Sequence, residues 1–198
     1  MYIFIYNAFY IEICARKRSK IMETTFSNTK VELVTGDIAS QDEIDAIVNA
    51  ANAELRIGGG VAGAIHRKGD PELTQLTRPL APIKPGEAVI TEAPGLPNDY
   101  VIHCLGPVYG RDEPSDDLLA KCYKNALYLA EKHEINSIAF PAISTGAFGY
   151  PMNDAANIAF EIVKVEAHEL EFVKLIRFVL FSEDDLELYK EVLNEIIG

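Results

Sequence analysis

From Lys30 onward the apolar positions fall into short strand-length runs separated by longer stretches with helical spacing. Residues 31–35, 46–48, 88–91, 100–105, 137–140 and 175–181 are rich in β-branched and aromatic side chains and predict strands. Residues 46–48 are apolar without alternation and lead into Asn49 and Asn52, the pattern of a strand covered on both faces that delivers polar groups at its carboxyl end. Leu119, Cys122, Tyr123, Ala126 and Ala130 recur at helical spacing, as do Ala155, Ala156, Ala159, Ile162 and Val163. Helix starts are marked by Ser40 with Glu43, by Ser115 with Asp116 and Asp117, by Pro151, and by Ser182 with Asp185. Strands alternating with helices predict an α/β fold with a mixed, mainly parallel sheet covered by helices.

Two connections differ from ordinary loops. The first follows Asn52 and reaches Gly58, Gly59 and Gly60 before the small-residue helical stretch Val61, Ala62, Gly63, Ala64 and Ile65. Glycines let backbone approach a ligand, and the free N–H groups of a helix start attract an anion; the same pattern also serves a tight turn with close helix packing. The second runs from Pro141 to Pro151 and carries Ser144, Thr145, Gly146, Ala147, Phe148 and Gly149. Two such loops on parallel strands face one another across the carboxyl edge of the sheet, where they can grip a diphosphate. Phe148 either lays a ring on a ribose or base or folds back onto the core. Asp37 sits at another strand end, in Gly36-Asp37-Ile38.

Composition narrows the ligand. The 198 residues carry a formal charge of −12, which argues against a nucleic-acid backbone as partner, because such binding draws on Lys and Arg. A small anion held by backbone N–H groups remains compatible. The basic cluster Arg16-Lys17-Arg18-Ser19-Lys20 follows an apolar stretch rather than preceding one, the reverse of a secretory signal, and the apolar stretch is short for a membrane span. Residues 1–22 read as an N-terminal extension, either an added edge strand or an upstream start with Met22 as the natural one; residues 23–198 read as one domain. Cys14, Cys104 and Cys122 have no paired spacing and read as reduced thiols in a cytoplasmic protein. His103 within its apolar run reads as a core histidine, and no metal or cofactor is expected.

Gly36-Asp37-Ile38, the stretch from Asp45 to Asn52, Gly58 to Val61, Val101 to Pro107, and Phe140 to Gly149 stand in the order of a macro domain, and the chain resembles that family from about Val31 to its C-terminus. Ala64-Ile65-His66-Arg67 and the Ser144-Thr145-Gly146 loop ending in Tyr150-Pro151 are most similar to the bacterial and MacroD-like branch. The resemblance implies a three-layer α/β/α sandwich and ADP-ribose or its derivatives, free or carried on ADP-ribosylated proteins, as ligand. It implies Asp37 and Ile38 at the adenine, and Gly58, Gly59, Gly60, Val61 and residues Ser144 to Gly149 at the diphosphate. Asn49 and Asn52 belong to the same ligand set, with Asn52 on the distal ribose as the main catalytic candidate and Phe148 beside it. One departure matters: the MacroD-like aspartate after Gly-Gly-Gly-Val is Ala62 here. His66 shares its helix face and is the substitute candidate for a base, though the family keeps a histidine there beside the aspartate. Two readings stay open: a hydrolase of substituents on the distal ribose, with water positioned by the substrate's own phosphate, and a non-catalytic reader of ADP-ribose.

Overall fold

A computed structural model describes residues 22–198. Seven strands form one sheet: β1 (Met22–Phe26), β2 (Thr29–Thr35), β3 (Ala46–Ala50), β4 (Ala88–Glu92), β5 (Tyr100–Cys104), β6 (Ser137–Phe140) and β7 (Leu175–Leu180), in the order β1-β2-β7-β6-β3-β5-β4. The five from β2 to β5 in that order are parallel, and the edge strands β1 and β4 run antiparallel to their neighbours. The helices are α1 (Gly60–Gly69), α2 (Glu72–Thr77), α3 (Ser115–Lys132), α4 (Met152–Glu166) and α5 (Glu183–Ile197).

Both faces of the sheet are covered, as a continuous apolar strand such as β3 requires. On one face α3, α4 and α5 enclose a large core in which Tyr123, Phe140, Phe160, Phe178 and Tyr189 pack ring against ring. On the other, Ile65 of α1 and Leu73 of α2 meet Ile47, Val101, Ala139 and Val179. The result is the expected three-layer α/β/α sandwich. Asp45 pins β3 to β6 at their amino ends, its carboxylate accepting from the backbone N–H groups of Asn136 and Ser137 at 3.0 and 2.9 Å. Because the five central strands are parallel, their carboxyl ends share one edge.

Some local expectations are corrected. The short helix after β2 is the 3-10 turn Ile38–Ser40, capped by Asp37 rather than Ser40: Asp37 accepts from Ala39 N at 3.0 Å and from Ser40 Oγ at 3.1 Å. Ser115 is the first residue of α3, with Pro114 in the cap position. Ser182 does cap α5, accepting from Asp185 N at 3.1 Å. Strand β1 starts at Met22, the last residue of the segment read as an extension, and otherwise belongs to the domain; the proposed edge strand at residues 2–6, the basic cluster and Cys14 lie outside the described residues. Among the described residues no helix is long and apolar enough to cross a membrane.

Candidate functional site

Strands β2, β7, β6 and β3 each release a segment at the shared carboxyl edge, and these segments carry most of the residues singled out in the sequence. The first loop leaves β3 with Ala51 N still bonded to Cys104 O at 2.9 Å, then turns through Asn52. The Asn52 amide clasps the loop shut: its Nδ2 donates to Arg56 O at 2.7 Å and its Oδ1 accepts from Arg56 N at 3.1 Å. Gly58, Gly59 and Gly60 are exposed, Gly60 at φ +54, a backbone region that favours glycine. Gly59 occupies the cap position of α1 without a side-chain cap, so that helix start keeps its N–H groups for a ligand. A Cβ added at Gly58 would stand 3.2 Å from Asn52 Nδ2, which places the asparagine amide directly beside the triglycine.

The helix seats itself against this loop through Gly63. A Cβ there would lie 2.4 Å from Gly58 O, so backbone packs on backbone where no other residue fits. Ala62 is buried at 4% exposure and supplies no acid.

The second loop is held differently. Ser144 adopts φ +67, its N–H-bearing neighbours turn through Thr145 Oγ1 donating to Ala142 O at 2.9 Å, and Gly149 N donates to Gly146 O at 3.0 Å. Tyr150 hydroxyl donates to Asp116 on α3 at 2.5 Å, and Tyr109 N donates to Phe148 O at 3.0 Å. Burial and the neighbouring Asp116 carboxylate push the Tyr150 phenol up, so it stays a donor. Gly146, Ala147 and Gly149 are exposed. Phe148 is half-buried and packs on the small cluster of Ala51, Leu55, Ile83 and Leu105, which brings the second loop onto residues of the first. The two glycine loops thus lie beside one another at the carboxyl edge of the sheet.

Asp37 marks the far end. Its turn is braced from the sheet: Gln41 Nε2 donates to Asp37 O at 2.9 Å, and Arg177, paired with Glu32 at 2.9 Å, donates to Gln41 Oε1 at 3.2 Å. Ile38 is anchored in the smaller core at 5% exposure. Beside this turn stands a residue that sequence reasoning passed over. Phe181 follows the last bond of the β2–β7 ladder, Gly36 N to Leu180 O at 3.0 Å, and is 96% exposed. It read as one more apolar residue of a strand; only the end of pairing reveals that the ring is free.

Two expected site residues are buried in the fold instead of lying open at this edge. Asn49 is wholly buried, because β3 is covered on both faces; its Nδ2 donates to His103 Nδ1 at 3.1 Å. That bond fixes the imidazole as the tautomer with a proton on Nε2, which donates to Thr91 Oγ1 at 3.0 Å. Burial, with a smaller contribution from nearby His66, lowers His103 to about 3, so it is a neutral core histidine. His66 is likewise wholly buried, and its Nδ1 is engaged with the Asp70 carboxylate at 3.1 Å. Asp70 sits below the usual carboxylate range: burial would raise it, but hydrogen bonds from Thr74 and His66 outweigh that. The Cys104 and Cys122 thiols are buried and free, and burial pushes Cys122 up to about 12. Among the described residues no group of three His, Cys, Asp or Glu side chains could hold a metal ion.

Comparison with known proteins gives this edge a context. Residues 48–159 match the family model described as Macro domain, a span that includes both glycine loops. A macro domain-containing protein of Caldanaerobacter subterraneus is 45% identical over 172 residues, covering 84% of this chain and 97% of that protein. One of Methanosarcina mazei is 43% identical, covering 85% and 90%. Among solved structures, the Oceanobacillus iheyensis macrodomain with ADP has a TM-score of 0.84 at 38% identity and covers 89% of this chain and 96% of that one. The Trypanosoma brucei macrodomain in complex with ADP-ribose has a TM-score of 0.75 at 37% identity, covering 82% and 68%.

Proposed function

The chain belongs to the macro-domain family, and from that premise we propose that it binds ADP-ribose and hydrolyses a substituent on the distal ribose. The observation that carries the reading is the pair of glycine loops converging at one sheet edge, with the Asn52 amide beside Gly58 and a bare helix start behind it. Relatives whose structures hold ADP or ADP-ribose share the fold over more than four-fifths of this chain. In this assignment the diphosphate lies between the loops, Asp37 accepts from the adenine amino group, and Phe181 offers its ring to the base. Backbone donors serve in place of Lys and Arg, which reconciles an anionic ligand with a protein of charge −12.

Asn52 orients the distal ribose, and a water held by the substrate's diphosphate attacks the substituent. For an acetyl or carboxylate-linked ester, water adds to the acyl carbon, the bond to the ribose oxygen breaks, and the water's proton ends on the ribose hydroxyl. Positioning alone lowers such a barrier considerably. A ribose phosphate is the third candidate substrate. Ala62 favours a second reading, a reader that binds ADP-ribose on modified proteins without turnover, because no side-chain base stands at that position.

The test is release of ADP-ribose from a protein modified on Asp or Glu, with acetylated ADP-ribose in parallel and calorimetric titration of free ADP-ribose as reference. Turnover by the wild type that falls at least tenfold in Asn52→Ala supports the hydrolase. Binding without turnover leaves the reader, and turnover unchanged in Asn52→Ala removes Asn52 from the mechanism.

A further inference from the structure

The last turn of α1 carries Lys68, whose ammonium crosses to the turn after β2. Nζ donates to Ala39 O at 2.7 Å and to Ser40 Oγ at 2.5 Å, and lies 3.8 Å from Asp37 Oδ2. All three partners belong to the same 3-10 turn, 28 to 31 residues away in sequence. That turn is also braced from the sheet side through Gln41 and Arg177, and from the β4–β5 connection by Asn98, whose Nδ2 donates to Gln41 O at 2.8 Å. The Asp37 carboxylate also spends one contact on each oxygen within the turn, from Ala39 N and Ser40 Oγ, which fixes its plane and leaves its outer lone pairs unused.

We propose that Lys68 is a positioning residue that sets the Asp37 carboxylate at a fixed distance from the phosphate-binding start of α1 and so governs selection of the base. This rests on the reading that Asp37 faces the adenine amino group. Helix α1 presents bare N–H groups at Gly60 and reaches Lys68 eight residues later, about 12 Å along its axis. One rigid helix therefore carries both the anion site and the tie to the turn that reads the base. The ammonium also offsets the charge of Asp37 in a protein of charge −12, which lowers the repulsion a carboxylate imposes on an incoming diphosphate. An amino group on the base donates to Asp37, whereas a carbonyl at the same place meets acceptor against acceptor. Discrimination between the two thus depends on where the carboxylate stands.

Lys68→Met, Lys68→Arg, Asp37→Ala and the Lys68→Met, Asp37→Ala double variant are titrated with ADP-ribose and with its hypoxanthine analogue, with thermal unfolding of each as the fold control. Lys68→Met should weaken ADP-ribose about fivefold, as expected for a partly exposed ion pair acting on a bound group, and leave the hypoxanthine analogue nearly unchanged. Lys68→Arg should keep the discrimination, and the double variant should bind no more weakly than Asp37→Ala alone. An equal loss for both nucleotides would reduce Lys68 to a fold contact and overturn the proposal. Loss in Asp37→Ala with none in Lys68→Met overturns the role of Lys68 while the adenine reading stands. Wild-type affinity in Asp37→Ala overturns the adenine reading and this proposal with it.

Discussion

The two loops at the carboxyl edge are held mainly by different means, although the Asn52 amide also clasps the first. The first is made by leaving side chains out: three exposed glycines, and Gly63 letting Gly58 O approach to where a Cβ would lie 2.4 Å away. The second is made by bonds, within the loop from Thr145 to Ala142 and from Gly149 to Gly146, and outward from Tyr150 to Asp116 on α3. The first loop is therefore the more sensitive to added atoms, and within the second the loss of any single bond matters less. An anion held by bare N–H groups needs the first design, because any added side chain there would occupy the ligand's space.

Gly63→Val should give the largest effect. The new side chain meets backbone that cannot move aside, so ADP-ribose affinity should drop more than tenfold and stability by about 1–3 kcal/mol, read by calorimetry and urea unfolding. Gly106→Ala probes the one place where the second loop shares the first loop's design, since its Cβ would stand 2.0 Å from Ser144 Oγ. It should cost about 1–2 kcal/mol of stability, partly recovered in Gly106→Ala with Ser144→Gly. Failure of the pair to recover would show that Ile143, 2.7 Å from the same Cβ, is the harder contact.

The strands that lead to the first loop add a pH dependence through His103, buried on β5 and bonded to Asn49 of β3. His103 is held near pKa 3 when folded, against an ordinary 6.5. Between those values the unfolded chain takes up a proton that the folded one refuses, so stability falls as the pH drops below about 6.5. Between pH 7 and pH 5 this amounts to about 2 kcal/mol. His103→Gln should remove that part of the slope in urea titrations at the two pH values; an unchanged slope would assign it to other groups. Thr145→Val should give the smallest effect, about 1 kcal/mol of stability and under threefold in affinity, because the remaining bonds keep the second loop in place.

Much of this arrangement was legible in the sequence. The strand and helix periods located six of the seven strands and the covering helices, and glycine clusters located both loops. What escaped depended on contacts distant in sequence. Strand β1 alternates exposed and half-buried positions and is defined by pairing with β2, not by its own composition. Asn49 read as a ligand residue because it ends an apolar run, yet the covering of both faces turned it inward onto His103. His66 shares a helix face with Ala62, but that face is the one packed against the core, where Asp70 takes its Nδ1. Phe181 and Lys68 gained their positions only when β7 stopped pairing and α1 docked beside the Asp37 turn. Ser40 with Glu43 has the spacing of a cap, but the turn starts earlier and Asp37 caps it, accepting from Ala39 N.

The most direct measurement is a calorimetric titration of ADP-ribose into the wild type and into Gly63→Val, with both shown to be folded by their unfolding transitions. The wild type should show one site per chain, and the variant at least a tenfold loss of affinity. No binding to the wild type, or equal binding by a folded Gly63→Val, would contradict the claim that the triglycine loop seated on α1 holds the ligand.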